Sequence, residues 1–260
     1  MTTLCLALAA TWPTATAEGC VVVEADPAGG DVAARFALPA TPGLASLAAA
    51  ARRATEADLV WRHAQTLPGG LSVVTAPPGA DQARAALAAL ENADLLRRAG
   101  DVGTVVVDCG RLDPGSPAVP IVRAADHVLL VTRAHAADLA HVAIRDALTR
   151  SISGQVHMLL AGLGHSTGEV EQEIGVPVLA RVPEDRRGAA TMAGEVAPRG
   201  FWPARRRLAR YAASIAADLA ALTPPVPATT TDDEGVPAVG DDMHTDPRAR
   251  VNGQAAGRRA

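Results

Sequence analysis

The chain has 260 residues, 48% of them hydrophobic but only 2% aromatic, and a formal net charge of −4. That is enough chain for one substantial α/β core of Val, Leu, Ile and Ala, and its charge balance argues against a strongly basic nucleic-acid binder or an acidic solvating chain. All 24 basic side chains are arginine, so a mechanism that needs a lysine on a phosphate has no residue to use.

In chain order, residues 2–12 are apolar nearly all round, as in a buried helix. Residues 20–26, Cys-Val-Val-Val-Glu-Ala-Asp, form a β-branched run ending in a carboxylate, and Pro27, Gly29 and Gly30 break it. Ala-rich residues 44–53 predict a helix. Residues 71–75 predict a strand, closed by Ala76-Pro77-Pro78-Gly79, and residues 81–90 a helix with Asp81 as its N-cap. Residues 102–108 repeat the valine-run theme and end at Asp108, with Cys109 and Gly110 following. Strands are then predicted at 128–131, 156–160 and 177–182, with helices at 136–148, 168–174 and 205–222 between and after them. This alternation specifies a three-layer α/β fold, a mostly parallel sheet with helices on both faces. From residue 223 the composition turns to Pro, Thr and Asp, too little apolar surface to offset ordering, so 1–222 is the predicted domain and 223–260 a disordered tail.

Cys5, Cys20 and Cys109 are an odd, widely spaced set, as expected of reduced thiols in a cytoplasmic protein. Residues 4–10 and the small residues 14–17 resemble a secretory leader, but no positive charge precedes Arg35, and the run is too short to span a membrane. The seven histidines show no metal-ligand spacing. Asp113-Pro114-Gly115-Ser116-Pro117 is turn chemistry.

Asp26 and Asp108 close two valine runs at the carboxyl edge expected of the sheet, where ligands of open parallel sheets bind. A single aspartate there could simply cap a turn; two, each followed by glycines that let backbone N–H groups approach an anion, point to a nucleotide site.

Here the sequence resembles a known family. Met1-Thr2-Thr3-Leu4-Cys5-Leu6-Ala7-Leu8-Ala9 resembles the second half of a Walker A motif, and Glu24-Ala25-Asp26-Pro27 the switch I segment of the MinD/ParA group of P-loop ATPases. Val105-Val106-Val107-Asp108 resembles Walker B, and Val182-Pro183-Glu184-Asp185 the segment after the last strand; the likeness runs in order over residues 1–222. It implies ATP and Mg as ligands, hydrolysis of ATP, and a homodimer that switches with nucleotide in partitioning or positioning cellular cargo, with a protein partner. It implies that Thr2 binds magnesium, Thr3 lies near the phosphates, Asp26 orients the attacking water and Asp108 holds the magnesium shell through water. Gly110 would lie in switch II, and Pro183, Glu184 and Asp185 would flank the base.

The sequence also departs from the pattern. Met1 stands where the Walker lysine belongs, and Ala161-Gly162 where the family often has an asparagine for adenine. The competing reading is a non-catalytic interaction module that keeps the fold. Because the phosphate-loop strand of this fold lies inside the sheet, the natural protein is expected to begin upstream of Met1 with a further strand and loop. Arg199, Arg205, Arg206, Arg207 and Arg210 around Trp202 read either as a solvated helix face or as a phosphate-contacting DNA surface. Residues 251–260 lack the periodic apolar face of a membrane-targeting helix.

Overall fold

The computed structural model describes residues 1–13, 18–90, 94–195 and 207–222. The first half of the chain builds α1 (Thr2–Ala10), β1 (Cys20–Glu24), α2 (Val32–Arg35), α3 (Leu44–Ala51), α4 (Leu59–Arg62), β2 (Gln65–Thr66), β3 (Ser72–Val74), α5 (Ala80–Ala89), α6 (Asp94–Ala99) and β4 (Thr104–Asp108). The second half builds α7 (Val119–Ala124), β5 (His127–Ala134), α8 (Ala136–Ala143), α9 (Asp146–Thr149), β6 (Gln155–Gly164), α10 (Thr167–Ile174), β7 (Val178–Val182), α11 (Arg186–Met192) and α12 (Arg207–Leu222). Every strand read from the sequence is present, and the three-layer, mostly parallel architecture holds.

The strands form two hydrogen-bonded sheets rather than one, in the orders β2-β3-β1-β4 and β5-β6-β7. β1 pairs in parallel with β3 and β4, and β6 in parallel with β5 and β7. The short β2, not expected from the sequence, adds the one antiparallel edge among these pairs. Val21, Val22 and Val23 of β1 and Met158, Leu159 and Leu160 of β6 are fully buried, as befits central strands covered on both faces.

One helix ties the two sheets together. Cys5, Leu6, Ala9 and Ala10 of α1 pack with Val22, Val73 and Val106 on the first sheet. Leu4, Ala7, Leu8 and Trp12 pack with Leu129, Val131, Leu159 and Leu179 on the second, together with α12. The two sets interleave at spacings of three and four, so α1 presents one apolar stripe to each sheet. A helix with two buried stripes must be apolar nearly all round, as its sequence is.

Several boundaries differ from expectation. The helix predicted over 136–148 is two, α8 and α9. Gly79 rather than Asp81 stands at the N-cap of α5; Asp81 lies in the first turn, where a carboxylate favours the helix dipole. α10 has the fuller start: Ser166 accepts the Glu169 N–H at 3.3 Å, Glu169 accepts the Ser166 N–H at 2.8 Å, and Gly175 at φ +74° ends the helix. α12 is described from Arg207; Arg199, Trp202, Arg205, Arg206 and the tail 223–260 lie outside the described residues. Among the described residues no helix is long and apolar enough to cross a membrane.

Leu8 is 3% exposed and touches the second sheet and α12 at once. Leu8→Ala is therefore expected to lower unfolding stability by about 2–5 kcal/mol, the range for a leucine truncated in a well-packed core. Urea denaturation followed by circular dichroism checks this; a loss under about 1 kcal/mol would mean that α1 is not wedged where described.

Candidate functional site

The carboxyl ends of β1 and β4 lie side by side, with Glu24 in register with Asp108. Strand β1 stops at Glu24, so the strand-end carboxylate there is Glu24, and Asp26 sits two residues beyond it in the following turn. Glu24 is 3% exposed. Its carboxylate accepts the N–H groups of Asp31 and Val32 at 3.1 Å and of Ala76 at 3.0 Å. One buried side chain thus fastens the loop after β1, the start of α2 and the loop after β3. A Cβ on Gly30 would lie 2.5 Å from this carboxylate, which is why that position has no side chain. Burial pushes the Glu24 carboxyl above its ordinary value, outweighing the three N–H donors that favour its charge.

The same two loops are zipped by backbone. Gly30 N–H donates to the Pro77 carbonyl at 2.9 Å, and a Cβ on Gly29, at φ +105°, would meet the Pro78 carbonyl at 2.3 Å. On this platform Asp26 accepts the Ala28 N–H at 2.8 Å. Asp108, 2% exposed, accepts the Gly110 N–H at 3.1 Å. Gly110, at φ +59°, lies against the Asp26 carboxylate: a Cβ there would be 2.1 Å from it. Gly110 therefore joins the two aspartates predicted from the sequence, bonded to one and pressed on the other. No arginine or histidine among the described residues forms an ion pair with either carboxylate.

The start of α1 faces this acidic edge. Burial pushes the Cys5 thiol up, and the Asp108 charge pushes it further while the Met1 ammonium opposes. Burial, with Asp108 and Asp26 next, pushes the Cys109 thiol up to about 12, so neither cysteine is a thiolate nucleophile. Thr2 and Thr3 form the first turn of α1, and Thr3 lines two adjoining cavities. One, of about 220 Å³, is bounded by Thr3, Val131, Ala161, Pro183, Asp185 and Leu208 at the carboxyl ends of β5, β6 and β7. The other, of about 630 Å³, lies between Thr3, Arg35, Arg186 and Glu195.

The three residues predicted to flank a base divide. Pro183 lines the smaller cavity. Glu184 is exposed, with its carboxylate 3.4 Å from where a Cβ on Gly162 would stand. Asp185 borders the cavity but spends its carboxylate on capping two helices. It accepts the Gly188 N–H in α11 at 2.8 Å and the Leu208 N–H in α12 at 3.1 Å. Arg207 and Arg210 are exposed on α12, away from these groups in sequence and element.

A cation fits the donor set at the acidic edge. Asp108 is a buried carboxylate that, among the described residues, has the Gly110 N–H as a partner and no ion-pair partner, a state that favours a cation. No three His, Cys, Asp or Glu side chains among the described residues gather into a self-sufficient metal site.

No family model matches the sequence, and no curated protein matches it. Solved structures do. A ParA family ATPase from Chlorobium tepidum TLS superposes with a TM-score of 0.64 at 18% identity, over 84% of this chain and 92% of that one. The septum site-determining protein MinD of Pyrococcus horikoshii OT3, complexed with Mg-ADP, gives a TM-score of 0.53 at 15% identity, over 85% and 89%. An ATP complex of a Cyanothece McdA variant gives 0.54 at 12% identity, over 82% and 90%.

Glu24 is the residue whose protonation most directly reports on the loops of the site. Its raised carboxyl means that the folded state keeps a proton which the unfolded chain releases near the ordinary 4.5. The sign follows: this contribution to stability is present below about 4.5 and is lost as pH rises through the raised value. Glu24→Gln is expected to flatten that part of the stability-versus-pH curve, checked by thermal melts from pH 4 to pH 8. An unchanged slope would assign it to another group.

Proposed function

We infer the function from the MinD/ParA-like P-loop ATPase fold that the chain has. We propose that it binds ATP with magnesium at the edge formed by Asp26, Asp108, Gly110 and the start of α1. We further propose that it works as a nucleotide-dependent dimer switch in positioning or partitioning cellular cargo. The observation that carries the reading is the pair of carboxylates, Asp26 and Asp108, without an ion-pair partner among the described residues and brought together at Gly110 by the carboxyl ends of parallel strands. The Mg-ADP and ATP present in structures of similar fold support it.

Each residue then has a task its position allows. Asp108, fixed by the Gly110 N–H, holds the water shell of the cation, and the Thr2 hydroxyl supplies a further oxygen. Asp26, half-buried beyond the strand, would orient the attacking water. Thr3 borders the phosphates. Pro183 bounds the apolar cavity for the base, with Glu184 at its rim; Asp185 keeps that rim in place by tying α11 to α12. Magnesium held there would supply charge neutralisation at the phosphoryl group. The domain would be residues 1–222, cytoplasmic, with 223–260 as a tail. Exposed Arg207 and Arg210, with Arg205 and Arg206 before them, would be the DNA contact if there is one.

A second reading is favoured by one fact: the chain has no lysine for the phosphates. In it, the fold serves as a non-catalytic interaction module with a protein partner. Isothermal titration of ATP with magnesium separates the two. Saturable binding that weakens at least roughly tenfold in Asp108→Asn supports the nucleotide switch, each factor of ten being about 1.4 kcal/mol. No binding in a folded protein assigns the interaction module.

A further inference from the structure

We propose that Arg145 is a positioning residue for the site above, a strap that holds the loop after β4 where Gly110 meets Asp108 and Asp26. The inference rests on the reading of those aspartates as a nucleotide site and names what keeps their loop in place. Arg145 stands at the corner between α8 and α9, 32 residues from Asp113. All three nitrogens of its guanidinium are engaged. Nε donates to the Leu112 carbonyl and Nη2 to the Asp113 carboxylate, both at 2.8 Å, and Nη1 donates to the His141 carbonyl of α8 at 2.6 Å. The backbone beneath is fixed too. The Arg145 N–H donates to the Val142 carbonyl at 2.9 Å, and the Arg145 carbonyl accepts the Leu148 and Thr149 N–H groups at 2.9 and 3.0 Å. Arg145 follows the C-cap of α8 and is the N-cap of α9, so the break between the two helices is what aims its side chain at the loop.

An exposed ion pair alone is a weak tie. Arg145 makes a firmer one. Its side chain is 23% exposed, its planar fork is set by its own helix, and its first partner in the loop is a backbone carbonyl. Asp113, at 66% exposed, is the weaker half of the grip. The loop, residues 109–118 between β4 and α7, is otherwise bonded within itself or to the strand it leaves. Gly110 N–H donates to Asp108 at 3.1 Å at one end. At the other, Ser116 N–H donates to the Asp113 carbonyl at 2.9 Å and Ala118 N–H to the Ser116 hydroxyl at 3.2 Å. Among the described residues, Arg145 supplies the hydrogen bonds that reach this loop from another element.

The place of the grip gives it its role. Gly110 lies two residues before Leu112, at φ +59° and pressed against the Asp26 carboxylate. Glycine is the residue most free to leave such a conformation, so a fixed point close after it is what keeps it there. With the Leu112 carbonyl released, Gly110 can turn its N–H away from Asp108 and uncover Asp26. The strap thereby ties the two aspartates, which stand on the first sheet, to a corner that stands on the second, where Leu139 and Val142 of α8 pack with Met158 and Leu160. A second arginine tie joins the same parts of the molecule without touching the loop: Arg123 of α7 donates to the Ser151 hydroxyl, just after α9, at 3.1 Å. It serves as the comparator for a purely structural contact.

Two readouts on the full chain test it: hydrogen exchange at single amides by NMR, and isothermal titration with ATP and magnesium. In Arg145→Ala the Gly110 amide should exchange roughly tenfold or more faster, while the amides of 21–23 and 158–160 keep their rates. The affinity for ATP with magnesium should fall about tenfold, the scale of a lost hydrogen bond to a charged group. Arg145→Lys, which keeps a charge but not the fork, should fall between, and Arg123→Ala should change neither readout. If Arg145→Ala does not fold, Arg145→Lys and Asp113→Ala are read in the same way. The proposal is overturned if faster exchange stops at residues 112–114 and Gly110 keeps its rate, because Arg145 then holds only its own turn. It is overturned as well if Gly110 loosens but ATP affinity falls no more than in Arg123→Ala. If the unaltered chain binds no ATP, the nucleotide reading falls, and the Gly110 exchange rate alone decides the strap.

Discussion

The wedging of α1 between two sheets is the contact on which the rest depends. Two parallel sheets that share no strand pairing have no backbone ladder to hold them together, so their union must come from side chains. α1 provides it, with Leu6 and Ala9 buried on one sheet and Ala7 and Leu8 on the other. Burial at about 25 cal/mol per Å² makes four such side chains a substantial share of the few kcal/mol by which a domain is stable. α12 reinforces the second contact through Ile215, Ala216 and Leu219. The same wedge brings the first turn of α1 toward the carboxyl edge of β4, where the proposed site lies.

At that edge the structure sorts three carboxylates by environment. Glu24 is buried, its carboxyl pushed up by that burial, and it accepts three backbone N–H groups; it is an anchor for loops. Asp108 is buried with one donor, and Asp26, half-buried, lies against Gly110. Only the last two have oxygens to spare for a ligand. The arrangement separates a structural acid from the two carboxylates of the proposed site within the few residues where β1 and β4 end, and the glycines at 29, 30 and 110 allow the close approaches it needs.

Much of this was legible in the sequence. Runs such as Cys20–Glu24 and Thr104–Asp108 are β-branched and bounded by turn residues, so the strands and their alternation with helices could be read directly. Asp108 and Asp26 could be singled out for the same reason. Glu24 could not, because its role depends on loops at 31–32 and 76 folding over it, and a glutamate at a strand end carries no mark of that. Short helices such as Val32–Arg35 and Leu59–Arg62 span about one turn and leave no periodic signal. The helical pattern over 136–148 could not show the break at Ile144, and Asp185 reads equally as a base-flanking residue or a cap until α12 is seen to start beside it. The division into two sheets was invisible because inner and edge strands share one apolar pattern.

The most direct test of the wedge compares two single-tryptophan variants during urea unfolding. Trp12 packs in the cluster of the second sheet and Trp61 in that of the first. With the other tryptophans replaced by phenylalanine, the two fluorescence transitions should coincide in midpoint and slope, and Leu8→Ala should move both together, because α1 makes the sheets one cooperative unit. Two separate transitions, with Leu8→Ala shifting only the Trp12 signal, would contradict the account and leave two independently stable halves.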